Sequence, residues 1–195
     1  MTGSRPLTDA EIREVCKCFY GEHGARDRAL FLLGIATGFR ISELLSLRVG
    51  DVYRYGRVVD RVTVARRHMK QKTAGRTVLL NDMARAALLA WIDALQARGQ
   101  APDAFLFKSR KGANRPITRQ MADRILREAY DVCELAGKLG THAMRKTFAN
   151  KVYDHLGRDL VRTQKALGHV NINSTVKYLA FRDEEIDEAI AAISI

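Results

Sequence analysis

The chain has 195 residues, 47% of them hydrophobic, which is ample for the core of one ordinary domain or two very small ones and excludes a disordered tail. Thirty-three Lys and Arg against twenty-two Asp and Glu leave a net charge of +11, and that excess favours a polyanionic partner, nucleic acid first, through counterion release. No apolar run approaches the roughly 18 residues of a membrane span, no signal-type apolar region opens the chain, and three cysteines without a metal-spaced Cys or His pair argue against zinc, so a cytosolic protein with no metal and no membrane partner is expected.

Thr8 to Glu11 reads T-x-x-E, a capping box with Leu7 as its hydrophobic staple, and opens a helix over 9–20. Cys16 and Cys18 lie two apart in it and point to different faces as packing residues. After Gly21 and Gly24 a second helix, over 26–37, carries Leu30, Phe31, Leu32 and Leu33 with Ala and Gly between; apolar on all sides, it is expected to be buried. It stops at Gly38 and delivers Arg40 from a rigid base, with Glu43 placed to orient Arg40 or a neighbouring cation. Taken alone, Arg40 reads as a solvated helix-start residue paired with Glu43.

From 52 to 80 the pattern turns extended. Val58, Val62 and Val64 in one run, and Thr77 to Leu80 in another, predict a hairpin or a small three-stranded sheet with a polar loop over 70–75. Arg61, Arg66, Arg67, Lys70, Lys72 and Arg76 cluster there, a solvated face that can also lie along a phosphate backbone. Asn81 caps a helix over 82–98 with Ala86, Leu89, Ile92 and Leu95 at core spacing, and Trp91 in it reads as packing rather than as a base-stacking platform. Phe105, Leu106 and Phe107 precede a loop over 108–116 whose Lys108, Arg110, Lys111 and Arg115 make a second candidate contact to a DNA backbone. Thr118 opens a further helix with Met121, Ile125, Leu126, Ala129, Val132 and Cys133 inward, and Arg119, Arg124 and Arg127 on its polar side.

A helix over 142–156 follows, with apolar Met144, Phe148, Val152 and Leu156, and it carries His142 and Arg145 three apart on one face. Asp159 caps a helix over 160–167 that breaks at Gly168 before His169, and Tyr178 ends the next short helical segment, with Asn173 or Ser174 as its cap. Two guanidiniums, two imidazoles and a phenol suit phosphoryl transfer without a metal. Guanidinium forks match the equatorial oxygens of a phosphodiester in its transition state. Histidines donate to the same oxygens or take the attacking hydroxyl's proton, and a tyrosine can be the covalent nucleophile.

The ordered boxes T-G-F-R-I-S-E-L, H-A-M-R and L-G-H, with Tyr178 nine residues beyond His169, resemble the tyrosine recombinases, the family of the phage-type integrases, over about Leu7 to Tyr178. The resemblance implies an α+β fold, mostly α, with a small antiparallel sheet or hairpin: the integrase-type catalytic domain over 1–182. Over 183–195 a C-terminal helix follows, with Asp183, Glu184 and Glu185 at its start and Ile186, Ala189, Ile190 and Ile193 as an apolar stripe. In that family such a helix docks on a neighbouring protomer; the alternative is that it folds back on its own core.

What the resemblance implies about function is a site-specific recombinase that breaks and rejoins double-stranded DNA, as a tetramer on two duplexes and with accessory DNA-bending proteins as further partners. Tyr178 attacks the scissile phosphate to leave a 3′-phosphotyrosine and a free 5′ hydroxyl. Arg40 and Arg145 clamp the non-bridging oxygens, His142 and His169 hydrogen-bond the same phosphate, and His142 also accepts the tyrosine's proton. Lys72, with Lys70 as the rival, protonates the leaving 5′ oxygen. No cofactor is implied, because the bond energy stays in the phosphotyrosine. Arg119, Arg124 and Arg127 would run near the major groove, although solvated helix surface explains each of them singly.

Two features depart from the family pattern. Lys146 stands where a second histidine often follows H-x-x-R, and Leu7 already opens the catalytic domain where most integrases carry a core-binding domain first. The chain is then either a piece of a longer integrase or a naturally short one similar to the fimbrial-switch invertases. Two other functions fit the same residues: a type IB topoisomerase-like relaxing enzyme with the same chemistry, and a non-catalytic DNA-binding regulator built on the helix-turn-helix before His169.

Overall fold

The all-apolar segment predicted over 26–37 is the central helix of the fold, with Ala29 to Leu33 shut away from solvent. The structure is a computed structural model and describes residues 4–65, 75–97, 99–179, 187 and 190–193. Its described elements in chain order are α1 (Asp9–Lys17), α2 (Gly24–Thr37), α3 (Ile41–Leu44), α4 (Val49–Val52), β1 (Tyr53–Arg54), β2 (Arg57–Val58), β3 (Arg61–Val64), β4 (Arg76–Leu79), α5 (Asp82–Gln96), α6 (Arg119–Val132), α7 (Thr141–His155), α8 (Leu160–Leu167) and α9 (Ile172–Val176). The central α2 packs on α5 and α7, while the small β elements lie beside α4 and α5.

Local chemistry explains where these elements start. Thr8 Oγ1 accepts from the Glu11 N–H while the Glu11 carboxylate accepts from the Thr8 N–H, the capping box read from sequence. Asn81, Thr118 and Asp159 each accept a backbone N–H of the first turn of α5, α6 and α8. The cap of α9 is Asn171 rather than Asn173 or Ser174, because its Oδ1 reaches the Asn173 N–H at 2.8 Å. α1 stops at Lys17, short of the expected Tyr20, and Phe19 leaves the helix to pack its ring 5.6 Å from that of Phe31.

The extended region forms two separate antiparallel hairpins, not one three-stranded sheet. The chain reverses between β1 and β2 at Tyr55 and Gly56, both at positive φ, and β3 pairs with β4 from Arg61 opposite Leu79 to Val64 opposite Arg76. Lys70, Lys72, Arg66 and Arg67 lie outside the described residues.

Helix faces differ from expectation at four positions: Ala86 and Leu89 of α5, and Met121 and Val132 of α6, face solvent. A 3.6-residue period leaves the register of a stripe open by about one position, and the neighbouring helices select it. Ala87, Leu88, Trp91 and Ile92 turn inward on α5, and Ala122 and Tyr130 on α6. Trp91 packs in the core and donates from Nε1 to the Leu106 carbonyl at 2.8 Å. The three cysteines are free and half-buried, with Cys18 Sγ 2.9 Å from Cys133 Sγ. Of the C-terminal stripe, Ile190 and Ile193 are 61% and 70% exposed, so these two are not folded back into the chain's own core. Among the described residues no helix is long and apolar enough to cross a membrane.

The approach of α2 to α7 depends on two glycines. A Cβ on Gly34 would stand 2.4 Å from Met144 Sδ, and one on Gly38 would stand 2.3 Å from Phe148 Cδ1. Gly38 is also the left-handed C-cap of α2, at φ 59°. Gly38→Ala is expected to cost about 1–3 kcal/mol through left-handed strain and overpacking. Its urea denaturation midpoint checks this, and an unchanged midpoint would show that the two helices can separate without loss.

Candidate active site

The left-handed cap at Gly38 turns the chain out of α2, and Arg40 then becomes the N-cap of α3. Glu43, 1% exposed, accepts from the Arg40 backbone N–H at 2.8 Å and from Arg40 Nη1 at 3.0 Å. One buried carboxylate therefore holds both the main chain and the guanidinium of Arg40, as its position in the sequence suggested.

On α7, His142 sits at the surface of the site and Arg145 beneath it is 1% exposed. Arg145 Nη1 donates to the Gly38 carbonyl, while Nη2 donates to the Leu167 carbonyl at 3.1 Å and meets His169 Nε2 at 2.8 Å. A guanidinium has donors only, so His169 Nε2 accepts and the ring carries its proton on Nδ1, which donates to Thr175 Oγ1 at 2.9 Å. His169 thus holds Arg145 from below, a link that the sequence did not foretell. The buried Nε of Arg145 has no hydrogen-bond partner among the described residues.

Tyr178 lies on the turn that follows α9. Its N–H donates to the Thr175 carbonyl at 2.9 Å, and Asn150 of α7 donates from Nδ2 to the Tyr178 carbonyl at 2.9 Å and to the Lys146 carbonyl at 2.8 Å. The Tyr178 ring centroid is 5.4 Å from that of His169 and 6.5 Å from that of His142, and Arg145 Cζ stands 5.2 Å from it. Beside them a cleft of about 770 Å³ is lined by Asp123, His142, Lys146, Lys177 and Tyr178, among others. The structure therefore brings together His142, Arg145, His169 and Tyr178, and the charge of Arg40 acts on both His142 and Arg145. Lys72 and its rival Lys70 lie outside the described residues.

The cluster is electrostatically unbalanced. Burial, then the Arg145 and Arg40 charges, hold the His142 imidazole below its ordinary value, so it is the neutral, proton-accepting form at neutral pH. Burial and the Arg40 charge likewise lower Arg145. Arg76 belongs to the same cluster. The sequence placed it in the solvated hairpin, yet it is 8% exposed, and burial with the Arg145 and Arg40 charges brings it down to about 9. Its signal was the strand period: Arg76 pairs with inward-facing Val64 and so shares the buried face. Asn150 carried no comparable signal. Glu43 is, among the described residues, the carboxylate that acts on all three guanidiniums, and that excess of positive charge suits an arriving phosphate. Among the described residues no three His, Cys, Asp or Glu side chains gather as metal ligands would.

The arginines proposed for DNA contact stay on the surface. Arg119, Arg124 and Arg127 are exposed on α6, where Arg127 pairs with Asp123 at 2.6 Å and Arg124 with Glu128 at 3.4 Å; Arg110, Lys111 and Arg115 are exposed in their loop.

The profile of the phage integrase family matches residues 6–185. A probable integrase/recombinase of Bacillus subtilis (strain 168), YoeC, is 30% identical over 185 residues, covering 95% of this chain and 93% of that protein. Tyrosine recombinase XerC of Myxococcus xanthus is 32% identical over 173 residues, covering 85% of this chain and 53% of XerC, so the chain spans about half the length of that relative. Among solved structures, the XerH site-specific recombinase bound to a palindromic difH substrate, in a post-cleavage complex, superposes with a TM-score of 0.75 at 24% identity, over 96% of this chain and 52% of that one. At that identity the likeness is one of fold.

Because it is partly buried and its neighbours are cations, His142 in the free protein is expected to titrate below the ordinary imidazole value of about 6.5. Removing one of them in Arg40→Ala should move the titration up. Histidine ring resonances followed by NMR against pH check both signs, and a midpoint that stays put in the variant would remove Arg40 from the cluster.

Proposed function

The chain belongs to the phage integrase family, and from that premise we propose that it is a site-specific DNA recombinase, breaking and rejoining double-stranded DNA through a 3′-phosphotyrosine link. The observation that carries this reading is the packing of the Tyr178 ring against His142, His169 and Arg145, with Arg40 and Glu43 across the same cluster. A phenol among imidazoles and guanidiniums is the arrangement that nucleophilic attack on a phosphodiester needs.

In this scheme the phosphate enters the unbalanced positive charge around Arg40 and Arg145, whose forks hold its non-bridging oxygens. Neutral His142 takes the proton as Tyr178 Oη attacks, and the P–O5′ bond breaks with transfer of a proton to the departing oxygen, the role assigned to Lys72. His169 keeps Arg145 in place through its Nε2. The phosphotyrosine conserves the energy of the diester, so attack by a 5′ hydroxyl of a partner strand rejoins the DNA without a nucleotide. The XerH site-specific recombinase, a chain of this fold, was solved bound to its palindromic difH substrate. By analogy we assign duplex DNA as the partner here, with several copies of the chain assembled on it.

A nicked suicide duplex drawn from the DNA around a candidate crossover is expected to trap a denaturation-resistant adduct. Tyr178→Phe should lose the adduct and keep its DNA affinity; an adduct that survives moves the nucleophile elsewhere, and none with the parent on any DNA favours a binding protein. Arg40→Ala or Arg145→Ala should slow cleavage about 100- to 1000-fold, the scale of one lost oxyanion donor.

For Lys72→Ala, a duplex with sulfur as the 5′ leaving atom should restore cleavage, since a thiolate departs without acid help. A rate that the sulfur fails to restore takes the proton-donor role away from Lys72.

A further inference from the structure

Arg76 is a buried cation whose place in the core stability does not explain. Its Nη2 donates to the Thr37 carbonyl at 2.6 Å and its Nη1 to the Gly38 carbonyl at 3.5 Å. Its Cζ stands 5.1 Å from the Phe39 ring centroid and 5.5 Å from that of Phe148. Among the described residues no carboxylate pairs with it directly. Desolvating a charge against carbonyls and ring faces alone is costly, and an apolar side chain of similar volume commonly does better in such a place. Two like charges, Arg145 and Arg40, raise that cost further.

What the position does provide is a grip on the α2 terminus. Carbonyls at a helix C-terminus lack partners within the helix and carry the negative end of its dipole. Arg76 holds two of them, and the second, Gly38 O, is also the acceptor of Arg145 Nη1. Two residues further along the chain stands Arg40. One side chain on β4 therefore fixes the peptide to which Arg145 is anchored and from which Arg40 projects.

We propose that Arg76 is a positioning residue, which holds the Thr37 and Gly38 carbonyls and so aims Arg40 and Arg145 at the scissile phosphate without touching the DNA itself. This rests on the recombinase reading above, and it adds a residue that the ordered boxes of the sequence do not contain.

The test is single-turnover cleavage of the nicked suicide duplex at saturating DNA by the parent, Arg76→Met and Arg76→Lys, each with a normal diester and with a methylphosphonate at the scissile position. Arg76→Met is expected to cleave the diester about 10- to 100-fold more slowly at nearly unchanged DNA affinity, the scale of a misaimed catalytic group. Arg76→Lys keeps the charge without the fork and should recover part of that loss. Both deficits should shrink on the methylphosphonate, which presents one anionic oxygen fewer for the arginines to hold; lost stability alone would slow both substrates alike. If Arg76→Met does not fold, Arg76→Lys decides by the same comparison. A parent-like rate on the diester, or an equal deficit on both substrates, overturns the inference while the parent still forms its adduct. A parent that forms no adduct overturns the recombinase reading and this inference together.

Discussion

The carbonyl of Gly38 is the point on which the site is hung. It accepts from Arg145 on α7 and from Arg76 on β4, and it belongs to the residue whose N–H closes α2 and whose missing Cβ lets Phe148 lie against the helix end. Three stretches far apart in the chain meet at one peptide, so the two arginines proposed as the clamp are set by shared backbone rather than by separate surface loops. That matters because a guanidinium side chain has many rotamers. Holding it by fixed carbonyls, as Arg145 is held, or by a buried carboxylate, as Arg40 is held, removes that freedom before substrate arrives.

Charge is the second constraint. Arg40, Arg76 and Arg145 converge with Glu43, among the described residues, as the carboxylate that acts on all three; the Arg145 and Arg40 charges burden Arg76, and the Arg40 charge burdens Arg145. An arrangement that repels itself while empty gains most from an incoming anion. Burial and these same charges keep His142 neutral, so the proposed proton acceptor is prepared in part by the groups proposed to receive the phosphate.

The proposed nucleophile is held differently. Tyr178 comes from a turn after a five-residue helix, and its main chain is tied to the scaffold by Asn150 on α7 and by the Thr175 carbonyl. His169 links this end of the chain to the clamp, with Nε2 on Arg145 and Nδ1 on Thr175. Arg145 and the segment that carries Tyr178 thus share one chain of hydrogen bonds through His169.

Much of this was present in the linear pattern. Capping residues Thr8, Asn81, Thr118 and Asp159, the breaks at Gly38 and Gly168, and the buried run from Ala29 to Leu33 are local signals, because caps, left-handed turns and all-round apolarity act within a few residues. The ordered boxes placed Arg40, His142, Arg145, His169 and Tyr178 as one set for the same reason: each sits at a helix end or on a helix face that its neighbours define. Which face of α5 and α6 turns inward was decided only by packing, as Leu89 and Val132 show, since a helical stripe fixes its period more tightly than its phase. Asn150 depended wholly on tertiary structure, and for Arg76 the strand period marks the buried face but not the partner. Their acceptors, the Thr37 and Tyr178 carbonyls, are brought to them by chain closure over distances that no local pattern records, and a charged or amide side chain reveals its role only once its partner is in place.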